Sequence, residues 1–412
     1  MPTSSAETAI SSVNVLQITP TNVYPPSDGG QHRSHGLVAS FPDHGDEVYR
    51  YCQGGHLANY VRGDWKQTLD IATDYQELQQ LHPLFDLARL PELFGLPNVF
   101  LGRSLRLVKP SVVIRRIDWA DVILVELPWQ VPAVAELTER TPVVYSSHNV
   151  EQERFESTSD SRVGAAFSEK VSRIERAAIQ RSDAVVCTSE RDRSEYRQRY
   201  DVEVDYLISP NGVSRDIVRN KQERSQSNVR SQHGISERTI GLFIGTDYGP
   251  NREAARHVIR IASEATATGL DIHFMIVGSV GESISTEHDN VTLTGFVPEL
   301  EPYVAAADIG LIPIESGSGT NIKLLEYLAK RLPVVTTEFG RRGFRITHGQ
   351  EALVVPASEF TAAIEQLVTD AELRQHLSEN GVQYVQQNHL WEDISSELRT
   401  QLKRLVSSAR QN

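Results

Sequence analysis

The chain has 412 residues, more than one hydrophobic core usually organises, so two domains are expected. Hydrophobic content of 39% and charged content of 23% suit a soluble globular protein and exclude a disordered chain; no apolar run approaches the roughly 20 residues of a membrane-crossing helix. A net charge of −13 argues against general nucleic-acid binding.

Residues 1–12, rich in Ser, Thr and Ala without a basic region or apolar centre, read as a disordered tail and not a signal peptide. Cys52 and Cys187 match no metal or redox spacing, which points to a reduced, cytoplasmic setting. Residues 13–18 read as a first buried strand, followed by a turn-rich loop ending at Gly29 and Gly30. A helix is expected over 31–41, carrying His32, Arg33 and His35. The glycine pair ahead of it either serves a turn or sets amides against an anion. Residues 47–51 alternate as a second strand, whereas 53–90 give no clear element. Residues 93–117 carry Arg103, Arg106, Lys109, Arg115 and Arg116 and no acidic residue. That segment is either a helix with a solvated basic face or a surface for anionic lipid head groups, a peripheral contact at the inner membrane face.

A strand over 121–127 reaches Glu126, and one over 143–145 leads into Ser146-Ser147-His148-Asn149-Val150-Glu151. A histidine just past a strand sits where open α/β sheets hold ligands, or is simply bonded within its loop. A helix over 163–181 and strands over 184–187 and 204–208 complete a first domain, 13–209. The polar stretch 210–237 reads as a linker. Alternation then restarts over 238–388, with strands at 240–245, 272–277, 291–293, 309–314, 334–335 and 352–355. Helices are expected at 251–266, 358–368 and 371–387, and residues 389–412 form a last amphipathic helix. Both halves read as α/β with buried parallel strands, two Rossmann-like domains facing a central cleft.

The most informative stretch is Ser316-Gly317-Ser318-Gly319-Thr320-Asn321-Ile322-Lys323-Leu324-Leu325-Glu326, between a strand and a helix running to about Lys330. Gly317 and Gly319 let the backbone approach a ligand, and the helix start offers free N–H groups to an anion. Lys323 adds a point charge for a phosphate, and Glu326, three residues on, can accept from a neighbouring diol. Phosphate beside diol is the chemistry of a nucleotide. The same residues also fit a plain turn, with Ser318 or Thr320 as helix cap and Lys323 with Glu326 as an exposed ion pair.

Order and spacing decide between them. Gly245-Thr246-Asp247 with Pro250-Asn251, Val277-Gly278, Thr294-Gly295-Phe296-Val297, Ala307-Asp308, the glycine-rich stretch and Leu332-Pro333-Val334-Val335 resemble family 4 glycosyltransferases of the GT-B fold. Gly29-Gly30, His148-Asn149-Val150-Glu151 and Pro210-Asn211-Gly212-Val213 fit the same pattern in the same order. The resemblance implies a retaining transferase that moves a sugar from a nucleotide diphosphate donor to a hydroxyl of a glycan, polysaccharide or lipid-linked acceptor. It implies donor binding by Gly29, Gly30, Gly245, Gly317, Ser318, Gly319, Thr320, Asn321, Lys323 and Glu326, with His148, Lys323 and Glu326 closest to the chemistry. Glu326 corresponds to the second glutamate of the family's Glu-x7-Glu motif, which holds the ribose, and Ser318 stands at the position of the first. Of the basic pair that many relatives place after the first strand of the second domain, only Arg252 is present. The last helix resembles the segment that crosses back to the first domain.

No cofactor is expected beyond the nucleotide sugar as substrate, and the absence of Asp-x-Asp after any strand predicts no required metal. Three other readings stand beside this one: a non-catalytic GT-B subunit, to which Ser318 leans; a nucleotide-sugar epimerase using Glu126 and Glu151; and a dinucleotide enzyme using Gly278 and Gly281.

Overall fold

Residues of alternating direction but uniformly apolar character build the first sheet. In β1 (Asn14–Thr19), Leu16 and Ile18 face one side while Val15 faces the other, and both sides are buried. Helices covering both faces produce that pattern. The computed structural model describes residues 12–55, 63–156, 162–219, 228–235 and 238–411. Of the expected tail, only Ser12 lies within them. Two compact units result, one running to Pro210 and resuming at Trp391, the other Asn211–Leu390.

The first unit holds β1, β2 (Glu47–Cys52), β3 (Lys66–Ala72), β4 (Tyr75–Gln80), β5 (Val122–Glu126), β6 (Val143–Ser146), β7 (Ala184–Cys187) and β8 (Asp205–Ile208). Their order is β3-β4-β2-β1-β5-β6-β7-β8. Every pairing is parallel except β3 with β4, so the all-parallel expectation fails at one edge. There, Asp74 takes φ +61° in a tight turn, and the polar, largely exposed β3 folds back as the edge strand. This hairpin fills the stretch that gave no clear element from sequence. The helix expected at 31–41 begins at the glycines themselves, because Asp28 caps it by accepting from Gln31 N at 2.9 Å, and it stops at Gly36.

The acid-free segment forms two helices, Leu101–Val108 and Ser111–Trp119. Part of its positive charge is used internally. Arg106 pairs with Glu136 at 2.6 Å, and Arg116 lies over the rings of Tyr49 and Trp119. Arg103, Lys109 and Arg115 are exposed. Among the described residues no helix is long and apolar enough to cross a membrane.

The helix Trp391–Gln411 belongs to the first unit. It buries Trp391, Ile394, Leu398, Leu402 and Val406 against Val13, Leu37, Val38 and Phe41, each contributing about 2 kcal/mol of apolar burial. Gly36 is required there, since a Cβ would run into the Trp391 ring. Buried Asp46 pins the same helix through Arg399 and Lys403 and also accepts from Val13 N at 2.9 Å.

The second unit holds β9 (Thr239–Ile244), β10 (Ile272–Val277), β11 (Val291–Leu293), β12 (Ile309–Ile312), β13 (Val334–Thr336) and β14 (Leu353–Val354), all parallel in the order β11-β10-β9-β12-β13-β14. Where described, the expected linker is part of this unit: Val213, Val229 and Ile235 are buried in its core. In each sheet the chain reverses direction beside its first strand, between β1 and β5 and between β9 and β12. Such reversals open a crevice at the carboxyl ends of the strands.

Candidate active site

In the second unit the glycine-rich loop leaves β12 at its reversal point. Gly317 has φ +119° and Gly319 +69°, values that L side chains rarely adopt, which explains the glycines. The loop is held from behind by Arg342, whose Nε donates to the Gly319 carbonyl at 2.6 Å and Nη1 to the Gly317 carbonyl at 3.0 Å. The guanidinium packs on the Phe339 ring at 3.8 Å. A cleft of about 130 Å³ results, lined by residues 316–321 with Tyr248, Pro250, Asn251, Lys323 and Arg342 among others.

The helix Ile322–Ala329 starts in this cleft. Asn321 is its N-cap but makes no side-chain cap bond; Leu324 N turns back to the Asn321 carbonyl at 3.0 Å, which leaves the Ile322 and Lys323 amides open. Its Nδ2 is buried with no hydrogen-bond partner among the described residues. Thr320 Oγ1 accepts from Asn211 Nδ2 at 2.6 Å, so neither Thr320 nor Ser318 caps the helix. Lys323 is half-buried, 3.4 Å from Asn251 Oδ1, and forms no ion pair among the described residues. The turn-plus-surface-ion-pair reading is therefore excluded by geometry. Burial pulls the Lys323 ammonium down to about 8, partly offset by the Glu326 carboxylate. Burial likewise pushes Glu326 up, against Lys323 and Lys330. A cleft lined by Lys323 and Arg342, with no carboxylate in its lining and open amides beside it, is poised to gain an anion.

Not every expected residue joins this cleft. Glu326 sits one turn along the helix and does not line it, and Gly245 serves packing at the end of β9. There Gly278, at φ +103°, approaches so closely that a Cβ would meet the Gly245 carbonyl. After Gly278 comes a short 3-10 turn, Ser279–Glu282, and not the α-helix that a dinucleotide pyrophosphate needs. Arg252 is committed to Asp247 at 2.6 Å.

Gly29, Gly30 and His148 lie in the first unit. Gly30 approaches the His148 ring so closely that a Cβ would stand 3.3 Å from Nδ1. His148 Nε2 is 2.8 Å from Glu126 Oε2, and Ser34 Oγ lies 3.4 Å from the same nitrogen. Glu126 is fully buried; burial raises its carboxyl, but hydrogen bonds from His148 and Gln17 and the Arg33 charge hold it below the ordinary range. Glu151 is also buried and pairs with Arg154 at 3.1 Å. Both carboxylates are thus already bonded to neighbouring side chains. Among the described residues no three His, Cys, Asp or Glu side chains converge as a metal-binding group.

Sequence reading missed Arg342 and the bond between Glu126 and His148. The only trace of Arg342 was Gly340-Arg341-Arg342-Gly343 shortly after β13, and nothing local links Glu126 to a histidine on the next strand's loop.

The family described as Glycosyl transferases group 1 matches residues 238–370, and Glycosyltransferase Family 4 matches residues 28–217. An alpha-D-kanosaminyltransferase of Streptomyces kanamyceticus is 26% identical over 225 residues, 50% of this chain, and the chain spans 56% of that relative's length. Sucrose-phosphate synthase from Thermosynechococcus elongatus superposes with a TM-score of 0.73 at 16% identity, covering 96% of this chain and 100% of that one. Anabaena HepE, solved in complex with UDP and glucose, gives 0.67 at 13% identity, covering 95% and 100%. With one family match on each half and a shared fold along nearly its whole length, the chain belongs to the family 4-like glycosyltransferases of the GT-B fold.

Proposed function

We propose that this protein transfers a sugar from a nucleotide diphosphate sugar to a hydroxyl acceptor with retention of configuration and without a metal ion. The carrying observation is the second-unit cleft, where Lys323, uncapped helix amides and the free Asn321 Nδ2 surround space beside a glycine loop. The UDP and glucose held by HepE and the sugar-transfer name of the Streptomyces relative support a nucleotide-sugar donor.

In this reading Lys323, the amides at 317–320, Ser318 and Asn321 hold the diphosphate, and Glu326 accepts from the ribose hydroxyls at the edge of the cleft. Gly29 and Gly30 let backbone approach the donor in the first unit, and His148 hydrogen-bonds a sugar hydroxyl. The bond from the anomeric carbon to the diphosphate oxygen breaks, and the acceptor oxygen bonds to that carbon on the same face. The acceptor's proton passes to the departing diphosphate oxygen, so no carboxylate base is required. Catalysis then consists of positioning and of stabilising the leaving charge. The acceptor is a glycan, a polysaccharide or a lipid-linked hydroxyl, and residues 93–117 are proposed to touch an anionic lipid surface.

A thermal-shift screen of nucleotide diphosphate sugars identifies the donor, because a ligand of the folded state raises Tm. With that donor, transfer is expected to persist in chelator and to fall about 100-fold or more in Lys323→Ala. Glu326→Ala is expected chiefly to raise the donor Kd. Wild-type rates in Lys323→Ala would sink the diphosphate assignment, and an unchanged Kd in Glu326→Ala the ribose assignment.

A further inference from the structure

His148 and its loop are held at three points. Arg33, buried, donates through Nε to the Ser147 carbonyl at 3.0 Å, fixing the backbone ahead of the histidine. Tyr196, also buried, donates to the Asn149 carbonyl at 2.9 Å, fixing it behind. Glu126 holds the ring itself. A loop histidine anchored this thoroughly is being aimed.

The direction of the aim follows from a chain of buried groups. Arg50 is a donor only. Its Nη1 pairs with Glu77 at 2.9 Å, and its Nε donates to Gln17 Oε1 at 2.8 Å. That forces the other end of the Gln17 amide outward as a donor, and Nε2 reaches Glu126 Oε1 at 2.7 Å and the Ser34 carbonyl at 2.7 Å. The remaining Glu126 oxygen meets His148 Nε2. Arg50, Gln17, Glu77 and Glu126 are all fully buried, so none of these bonds competes with solvent. An ionised carboxylate can only accept, and Glu126 is held ionised by its partners.

We propose that the Arg50–Gln17–Glu126 chain is a positioning device that, whenever the His148 ring carries a single proton, keeps that proton on Nε2 and presents Nδ1 as a hydrogen-bond acceptor at the space left by the missing side chain of Gly30, which Asp28 Oδ1 also borders. A ligand at this point has to offer a proton, which a sugar hydroxyl does and a carbonyl or phosphate dianion does not. The hydroxyl assignment rests on the sugar transfer proposed here, whereas the tautomer stands on the buried hydrogen bonds and the ionised Glu126.

Glu126→Gln separates these statements. Gln17 still presents its amide nitrogen, so the substituted amide turns its oxygen to Gln17 and its NH2 to His148. Nε2 must then accept, and the proton moves to Nδ1, the tautomer reversal that follows when an orienting carboxylate becomes an amide. The full chain labelled with 15N-histidine at about pH 8, above the ordinary histidine range near 6.5, reports the protonated nitrogen directly, with His148→Asn to assign the signals. The expected result is Nε2–H in the wild type and Nδ1–H in Glu126→Gln, with kcat/KM for transfer at least about tenfold lower at an unchanged Tm. A wild-type ring protonated on Nδ1, or on both nitrogens, overturns the proposal, as does an unchanged tautomer in a folded variant. If Glu126→Gln does not fold, the wild-type tautomer decides. A reversed tautomer with unimpaired transfer overturns the hydroxyl assignment.

Discussion

Lys323 shows how a single side chain can be tuned by its surroundings. Half-buried and, among the described residues, without a carboxylate at bonding distance, its ammonium is drawn down to about 8 by desolvation, with Glu326 pulling the other way. The unfolded chain keeps its proton to about 10.5. Between about 8 and 10.5 the unfolded state therefore binds more protons, and stability of the free protein contributed by this group rises with pH across that window. Binding of a diphosphate has the opposite trend. Above about pH 8 the free site must take up a proton to become cationic, so the Kd for UDP is expected to rise toward tenfold per pH unit, and to lose that slope in Lys323→Ala. Calorimetric titrations from about pH 7 to 10 read this directly; a Kd flat over that range would remove Lys323 from the anion site.

At the level of elements, Arg342 ties the carbonyls of the glycine-rich loop that leads into the helix after it. A planar guanidinium can serve both carbonyls at once, while an ammonium is a point donor. Arg342→Lys keeps the charge and gives up the two-point hold, at a cost of about 1.5–3 kcal/mol for charged hydrogen bonds. That corresponds to a loss of about tenfold or more in UDP affinity if the loop's order is spent on binding. Affinity equal to wild type in Arg342→Lys would show that the loop holds its shape without the fork. The two positive-φ glycines contribute to the same loop, because they turn the chain where a side chain would be strained.

For the whole molecule, the distribution of exposed apolar side chains is uneven. Ten large ones are exposed among the described residues, and eight of them fall between Trp65 and Ile114 in the first unit. Leu93 and Phe94 are the most exposed, at 78% and 79%, and they begin the acid-free segment that also exposes Arg103, Lys109 and Arg115. The lipid contact proposed above would draw on these exposed apolar side chains and on the cations of the same segment. The protein is expected to sediment with phosphatidylglycerol vesicles and not with phosphatidylcholine vesicles. Binding should weaken at high salt and in a variant carrying Leu93→Ser and Phe94→Ser. Equal sedimentation with both vesicles, or none with either, would remove the lipid contact.

From sequence alone, periodicity and turn chemistry determined most of the elements: β10 at Ile272–Val277, β7 at Ala184–Cys187 and the glycine loop between β12 and its helix all follow from residues adjacent in the chain. Local rules reach that far because a strand's apolar run and a loop's positive-φ glycines are short-range requirements. Tertiary structure alone decided what lies across the sheets. The edge hairpin of β3 and β4 reversed an all-parallel expectation, since strand direction is set by pairing and not by composition. The alternative of an exposed Lys323–Glu326 ion pair fell only when the fold showed both groups desolvated by burial and no ion pair at Lys323 among the described residues. Arg342 on the Gly317 and Gly319 carbonyls, and Glu126 on His148, join residues more than twenty positions apart. Such long-range contacts carry no local signature, because their energy comes from desolvated hydrogen bonds that exist only once the chain has folded.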